Sequence, residues 1–168
     1  MNLILCGMMG AGKTTVGIKL AEKTGRQWLD TDVVITQKHG KIADIFAQKG
    51  EEYFRKLETE TLSAFAQEEN LVLSVGGGLV LKQENVCLLK RMGKIVYLQA
   101  EKQTLISRLQ QDTERPLLQG ADLERKIENL LSARASVYET VADYIVTVDK
   151  KTPDEIADEI LIIVDKRN

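Results

Sequence analysis

The chain has 168 residues, of which 23 are lysine or arginine and 25 are aspartate or glutamate, giving a formal net charge of −2. That length suits one domain, residues 1–168, burying roughly two thirds of its unfolded surface without disulfide or metal staples. The balanced charge offers no basic field to a nucleic acid, and no apolar run approaches the roughly 20 residues that cross a bilayer, so neither partner is expected.

Asn2-Leu3-Ile4-Leu5-Cys6 reads as a short buried strand. It runs into Gly7-Met8-Met9-Gly10-Ala11-Gly12-Lys13-Thr14, a full match to the phosphate-loop pattern G-x-x-x-x-G-K-[ST]. Thr15 to Thr24 then carries Val16, Ile18, Leu20 and Ala21 at helical spacing. Strand, loop and helix in this order let backbone N–H groups wrap phosphate oxygens while the helix N-terminus faces the same anion. In such a loop Lys13 reaches the β- and γ-phosphates and the Thr14 hydroxyl ligates Mg²⁺, with Gly10, Ala11, Gly12 and Thr15 completing the cradle. The start has no basic region before its apolar residues, so no signal peptide is expected and the cytoplasm is the expected compartment. Cys6 and Cys87 stand in no metal-ligand spacing and read as small buried hydrophobes.

Arg26 to Leu29 reads as a second strand, ending in Asp30-Thr31-Asp32. Alternation along an extended chain puts both carboxylates on one side, beyond the carboxyl end of a strand, where open α/β sheets gather ligands. A surface turn is the competing reading, and for Asp32 in particular a helix N-cap. Val33–His39 and Ile42–Lys49 read as short helices stopped by Gly40 and Gly50, and His39 at a helix end is given no chemistry. Glu51 to Glu69 is a longer helix with Phe54, Leu57, Thr61, Leu62 and Phe65 on one stripe. Arg55 lies just off that stripe with Glu58 three residues on. The pair is either an exposed ion pair of about 0.2–0.5 kcal/mol, or Glu58 aims Arg55 into a site.

Leu71 to Val75 is a buried-strand run ending in Gly76-Gly77-Gly78, a triplet expected where a backbone must come close to something. No acidic residue ends this strand, and Asp-x-x-Gly and Asn-Lys-x-Asp are absent, which counts against a GTPase switch. A helix from Asn85 to Met92, a strand from Lys94 to Gln99 and a helix from Glu101 to Gln110 follow. Residues 111–120 are polar, contain Pro116 and break every periodicity, so they read as a mobile lid carrying Arg115 to the transferring phosphate on closure. The helix Asp122–Glu139 stacks Arg134 and Tyr138 four residues apart, with a solvated basic turn as the competing reading. Tyr144 to Val148 is a last strand and Pro153 to Lys166 a closing helix, while Asp149 is a minor candidate for a metal-side aspartate. Five strands alternating with helices give a five-stranded parallel sheet in a three-layer α/β/α domain.

Six segments occur in one order over nearly the whole chain: Gly7 to Thr15, Asp30-Thr31-Asp32, Phe54-Arg55-x-x-Glu58, Gly76-Gly77-Gly78, Arg115-Pro116-Leu117-Leu118 and Arg134-x-x-x-Tyr138. Together they resemble the shikimate kinases, a branch of the nucleoside-monophosphate-kinase-like phosphate-loop kinases. Val75 departs from the threonine or other small residue expected before the glycines. The resemblance implies a P-loop NTP-binding fold with a lid, and transfer of the γ-phosphoryl of ATP, with Mg²⁺, to the 3-hydroxyl of shikimate on the way to chorismate and the aromatic amino acids. It further implies that Arg55 and Arg134 clamp the substrate carboxylate, and that Asp32 and the backbone of Gly76, Gly77 and Gly78 meet its hydroxyls. Asp30 resembles the aspartate that holds Mg²⁺ through water, Arg115 the lid arginine, and Arg108 and Pro153 the residues flanking adenine. Lys13, Asp32 and Arg115 are then the catalytic set, with Asp32 either accepting the hydroxyl proton or orienting the hydroxyl. A monomer is expected. The rivals are a kinase of the same fold acting on gluconate or a nucleotide, and a nucleotide-binding switch without chemistry of its own.

Overall fold

A parallel sheet frames the computed structural model, which describes residues 1–110 and 122–166. Arg115 and the lid expected at about 111–120 lie outside the described residues. In chain order the elements are β1 (Asn2–Cys6), α1 (Lys13–Thr24), β2 (Gln27–Asp30), α2 (Thr31–His39), α3 (Ile42–Ala64), β3 (Leu71–Ser74), a 3₁₀ turn (Leu79–Leu81), α4 (Gln83–Met92), β4 (Gly93–Gln99), α5 (Lys102–Leu109), α6 (Leu123–Val141), β5 (Tyr144–Thr147) and α7 (Pro153–Asp165). The sheet order is β2-β3-β1-β4-β5, with every pairing parallel.

This order puts β1 at the centre and makes it the switch point, because the chain builds β2 and β3 on one side of it and β4 and β5 on the other. A crevice therefore opens past the carboxyl end of β1, where the phosphate loop sits. All of β1 is buried, as a central parallel strand covered on both faces must be. Helices α1 and α7 pack together on one face, and α4 and α6 lie against β4 on the other. A separate small cluster of Ile35, Ile45, Phe54 and Leu57, flanked by Ile42, Phe46 and Tyr53, joins α2 to α3. That cluster makes these two helices a wall standing beside the crevice.

The differences from the expected elements have local causes. Helix α2 begins at Thr31 rather than Val33, because the Asp30 side chain caps it: Oδ1 accepts from the Asp32 and Val33 amides at 2.9 and 3.4 Å. The two helices expected over 42–49 and 51–69 form one element, α3, broken only at Gly50, whose φ of 83° is not helical. It stops at Ala64, where turn bonds from Phe65, Ala66 and Glu68 replace the helical pattern. Cys6 is buried as expected, and burial pushes its thiol up to about 12. Cys87 is exposed instead, since α4 turns Val86, Leu89 and Met92 inward.

Candidate active site

The crevice is a cleft of about 950 Å³, and its lining brings together Gly10 to Thr15, Asp30, Asp32, Arg55, Gly76, Gly77, Gly78, Arg108, Arg134 and Pro153. Apart from the minor candidate Asp149, each described residue to which the sequence assigns a site role is therefore on its wall. The phosphate loop turns by way of Gly10 and Gly12, at φ 83° and 94°, values that side-chain-bearing residues rarely adopt. Within the loop the Ala11 amide donates to Met8 O at 3.1 Å, and Lys13 Nζ reaches back to Gly7 O and Met8 O at 2.8 and 3.0 Å. Helix α1 is fixed beneath it because Ser74 Oγ, at the end of β3, donates to Lys13 O at 3.0 Å and accepts from Trp28 Nε1 at 3.3 Å. No sequence signal marked Ser74 for that task.

Beside the loop, Thr14 Oγ1 donates to Asp30 Oδ2 at 3.0 Å. With its proton directed at Asp30, the hydroxyl keeps its lone pairs for a cation. A hydroxyl and a neighbouring carboxylate fit Mg²⁺, which takes oxygen ligands and retains several waters and phosphate oxygens. Among the described residues no group of three or more His, Cys, Asp or Glu gathers to hold a metal unaided. Asp30 thus stands against Thr14 and also takes the capping role weighed for Asp32. Asp32 lies in the first turn of α2 rather than in a strand, so the two carboxylates share the cleft through a helix start and not through strand alternation.

The other end of the cleft is organised by the glycine triplet, and each glycine has a different neighbour. A Cβ at Gly76 would sit 2.6 Å from Glu58 Oε1 and 2.8 Å from Asp32 Oδ1. At Gly77 it would meet Arg134 Nη1, Gly7 O and Tyr138 Oη, each at 3.4 Å, and at Gly78 it would overlap the Arg55 guanidinium. The triplet thus allows two cations, two carboxylates and the root of the phosphate loop to converge on one stretch of backbone. Thr31, fully buried, holds it there by accepting from the Gly76 amide at 3.0 Å, another contact that no sequence pattern announced.

The Arg55–Glu58 pair is not an exposed ion pair. Arg55 Nη1 donates to Glu58 Oε2 at 2.8 Å and Nη2 to Glu51 Oε1 at 3.0 Å, and the Glu58 side chain is only 1% exposed. Burial pushes the Glu58 carboxyl up to about 7. Arg55 pulls against that rise, and the negative charge of Asp32 adds to it. Arg134 is likewise no solvated basic turn, being 5% exposed on the inward face of α6. Tyr138, one turn on, is fully buried and donates to Gly77 O at 2.6 Å.

At the phosphate-loop end of the cleft Arg108 Nη1 donates to Gly10 O at 3.0 Å, and Pro153 occupies the first turn of α7 behind a Thr152–Glu155 capping box. Asp149 has no place at the phosphate loop. It accepts from the Glu101 amide at 3.1 Å and from Thr104 Oγ1 at 2.5 Å, tying down the start of α5.

A family model for shikimate kinase matches residues 9–165. The chain belongs to the shikimate kinase family. It is 44% identical over 167 residues to the shikimate kinase of Sulfurihydrogenibium sp. (strain YO3AOP1), an alignment covering 99% of each chain. Among solved structures, the shikimate kinase from Acinetobacter baumannii in complex with shikimate is similar with a TM-score of 0.97 at 39% identity, over 99% of this chain and 94% of that one. The shikimate kinase from Bacteroides thetaiotaomicron gives 0.89 at 33% identity, over 98% of each. The five-stranded parallel α/β/α domain is the P-loop kinase fold of that family. Among the described residues no helix is long and apolar enough to cross a membrane.

Proposed function

We propose that this cleft transfers the γ-phosphoryl of ATP to the 3-hydroxyl of shikimate, giving shikimate 3-phosphate and ADP for the synthesis of chorismate and the aromatic amino acids. The observation that carries the reading is the glycine triplet. It gathers Arg55, Arg134 and Asp32 at one end of a cleft whose other end is a phosphate loop. A small polyhydroxylated carboxylate calls for planar guanidinium forks at its carboxylate and an acceptor at its hydroxyls. Arg55 and Arg134 supply the first and Asp32 the second, with the backbone of Gly76, Gly77 and Gly78 close enough for direct contact.

Phosphoryl transfer depends mainly on positioning and on stabilising charge that spreads over the phosphoryl oxygens. The amides of Gly10 to Thr15 cradle the phosphates, and Lys13 Nζ, now on Gly7 O and Met8 O, is within reach of the same oxygens. Thr14 and, through water, Asp30 would hold Mg²⁺, which would offset the negative charge of the phosphates. Asp32 orients the attacking hydroxyl or takes its proton. Arg115 meets the transferring group, and Arg108 and Pro153 flank the adenine. A cytoplasmic monomer forming a single domain completes the reading.

The test is ADP release from Mg-ATP with shikimate, set beside gluconate, a nucleoside monophosphate and no acceptor. Release that depends on shikimate alone is expected. Equal release with gluconate or a nucleotide would overturn the acceptor, and no acceptor-dependent release would overturn the enzyme.

A further inference from the structure

Tyr138 stands between two parts of the site that the shikimate reading treats separately. Its hydroxyl donates to Gly77 O at 2.6 Å and lies beside the Arg134 guanidinium, whose positive charge works against the rise that burial imposes on the phenol. The first phosphate-loop residue closes the same ring of contacts, since Gly7 O, Arg134 Nη1 and Tyr138 Oη all lie 3.4 Å from a Cβ built at Gly77. Behind it, the Tyr138 ring packs at 5.1 Å on Tyr97, whose own ring lies 3.5 Å from a Cβ built at Gly7 and whose strand partner is Cys6. Both tyrosines are almost completely buried.

We propose that Tyr138 is a positioning residue for the acceptor, one buried hydroxyl that sets the Arg134 guanidinium and the Gly77 carbonyl in register with the root of the phosphate loop. A phenol fits this task because it donates and accepts at one oxygen, so it can join a cation to a carbonyl that would otherwise compete for the same space. Burial disfavours its ionised form, which keeps the donor proton in place for Gly77. The ring is rigid, and its burial against Tyr97 holds the two torsions that join it to α6. The position of Arg134 is therefore fixed by the core and not by the substrate.

The inference rests on the shikimate reading, and the two fail separately: parent activity with shikimate tests the reading, and the ratio of variant to parent tests Tyr138. Tyr138→Phe keeps the ring and removes only the oxygen. The expected result is a rise of about five- to tenfold in KM for shikimate, the effect of about one hydrogen bond, with kcat within about threefold and KM for ATP within about twofold. A purely structural role would instead lower the melting temperature while leaving that split flat. In an Arg134→Lys background the same change should have a much smaller effect on KM, because the guanidinium it positions is gone. A shikimate KM within twofold of parent overturns the proposal. So does an effect that stays fully additive with Arg134→Lys, or a loss that falls on kcat alone.

Discussion

Replacing Glu58 by glutamine should make the protein more stable above neutral pH and a poorer enzyme at the same time. The carboxyl has an ordinary value of 4.5 and is pushed up to about 7, so the folded protein binds this proton more tightly than the unfolded chain does. The stability that this proton contributes is full below about pH 4.5 and is lost as pH rises through 7. At about 1.4 kcal/mol per tenfold change, the loss approaches about 3 kcal/mol by pH 8. Glutamine keeps the shape, still accepts from Arg55 Nη1, and has no charge to desolvate. Parent and Glu58→Gln should therefore differ by less than about 1 kcal/mol at pH 5 and diverge towards pH 8, with the variant melting about 6–12 °C higher there for a chain of this size. Thermal and urea unfolding of both proteins across pH 5–8 measure the difference, in which other titrating groups cancel. Arg55, held by a neutral partner and by the half-exposed Glu51, should lose its fixed aim, and KM for shikimate should rise about tenfold with kcat little changed. A stability difference that is constant over pH 5–8, or a variant less stable than parent at pH 8, would refute the placement of a strained carboxyl beside Arg55.

Alanine at each member of the triplet should give graded effects. At Gly78 the new methyl displaces Arg55 and at Gly76 it meets the Glu58 and Asp32 carboxylates, overpacking that costs about 1–3 kcal/mol. Gly77→Ala, with its neighbours at 3.4 Å, should be the mildest of the three in KM for shikimate, and a reversed order would contradict the geometry. Arg115→Ala should lower kcat about 10³-fold or more while leaving substrate KM values near parent, as expected of an arginine that meets charge developing in transfer. Near-normal turnover in that variant removes Arg115 from the mechanism. For Asp32→Asn, steady-state kinetics separate its two roles: a loss of about 10²-fold or more in kcat marks proton transfer, and a rise confined to KM marks orientation of the hydroxyl.

The phosphate loop was legible because its chemistry is local. A strand, a glycine turn and a helix N-terminus lie within 24 residues, and their spacing alone builds the cradle. Strand alternation with helices likewise fixed the layered parallel fold, and every expected strand is present within a residue or two. Asp30 shows where local rules compete. The sequence offered a metal-side role for Asp30 and a cap for Asp32, and in the structure one Asp30 oxygen caps α2 while the other receives Thr14.

The glycine-triplet end of the cleft could be read from the sequence only as a set of candidates. Arg55, Glu58, Arg134 and Asp32 each had an ordinary surface explanation, and residue spacing within a helix says nothing about what lies across from it. Their meaning depends on burial. Glu58 is an exposed helix charge until α4 and the 3₁₀ turn pack beside α3, and only then does its proton affinity rise. Thr31, Ser74 and Tyr138 serve partners 45 to 61 residues away, contacts that no periodicity encodes. The sequence by itself determined the phosphate chemistry and the order of the layers, because both follow from neighbours along the chain. The tertiary structure decided which charges face one another over the glycine triplet, because desolvation and hydrogen-bond partnership exist only once distant segments have closed around them.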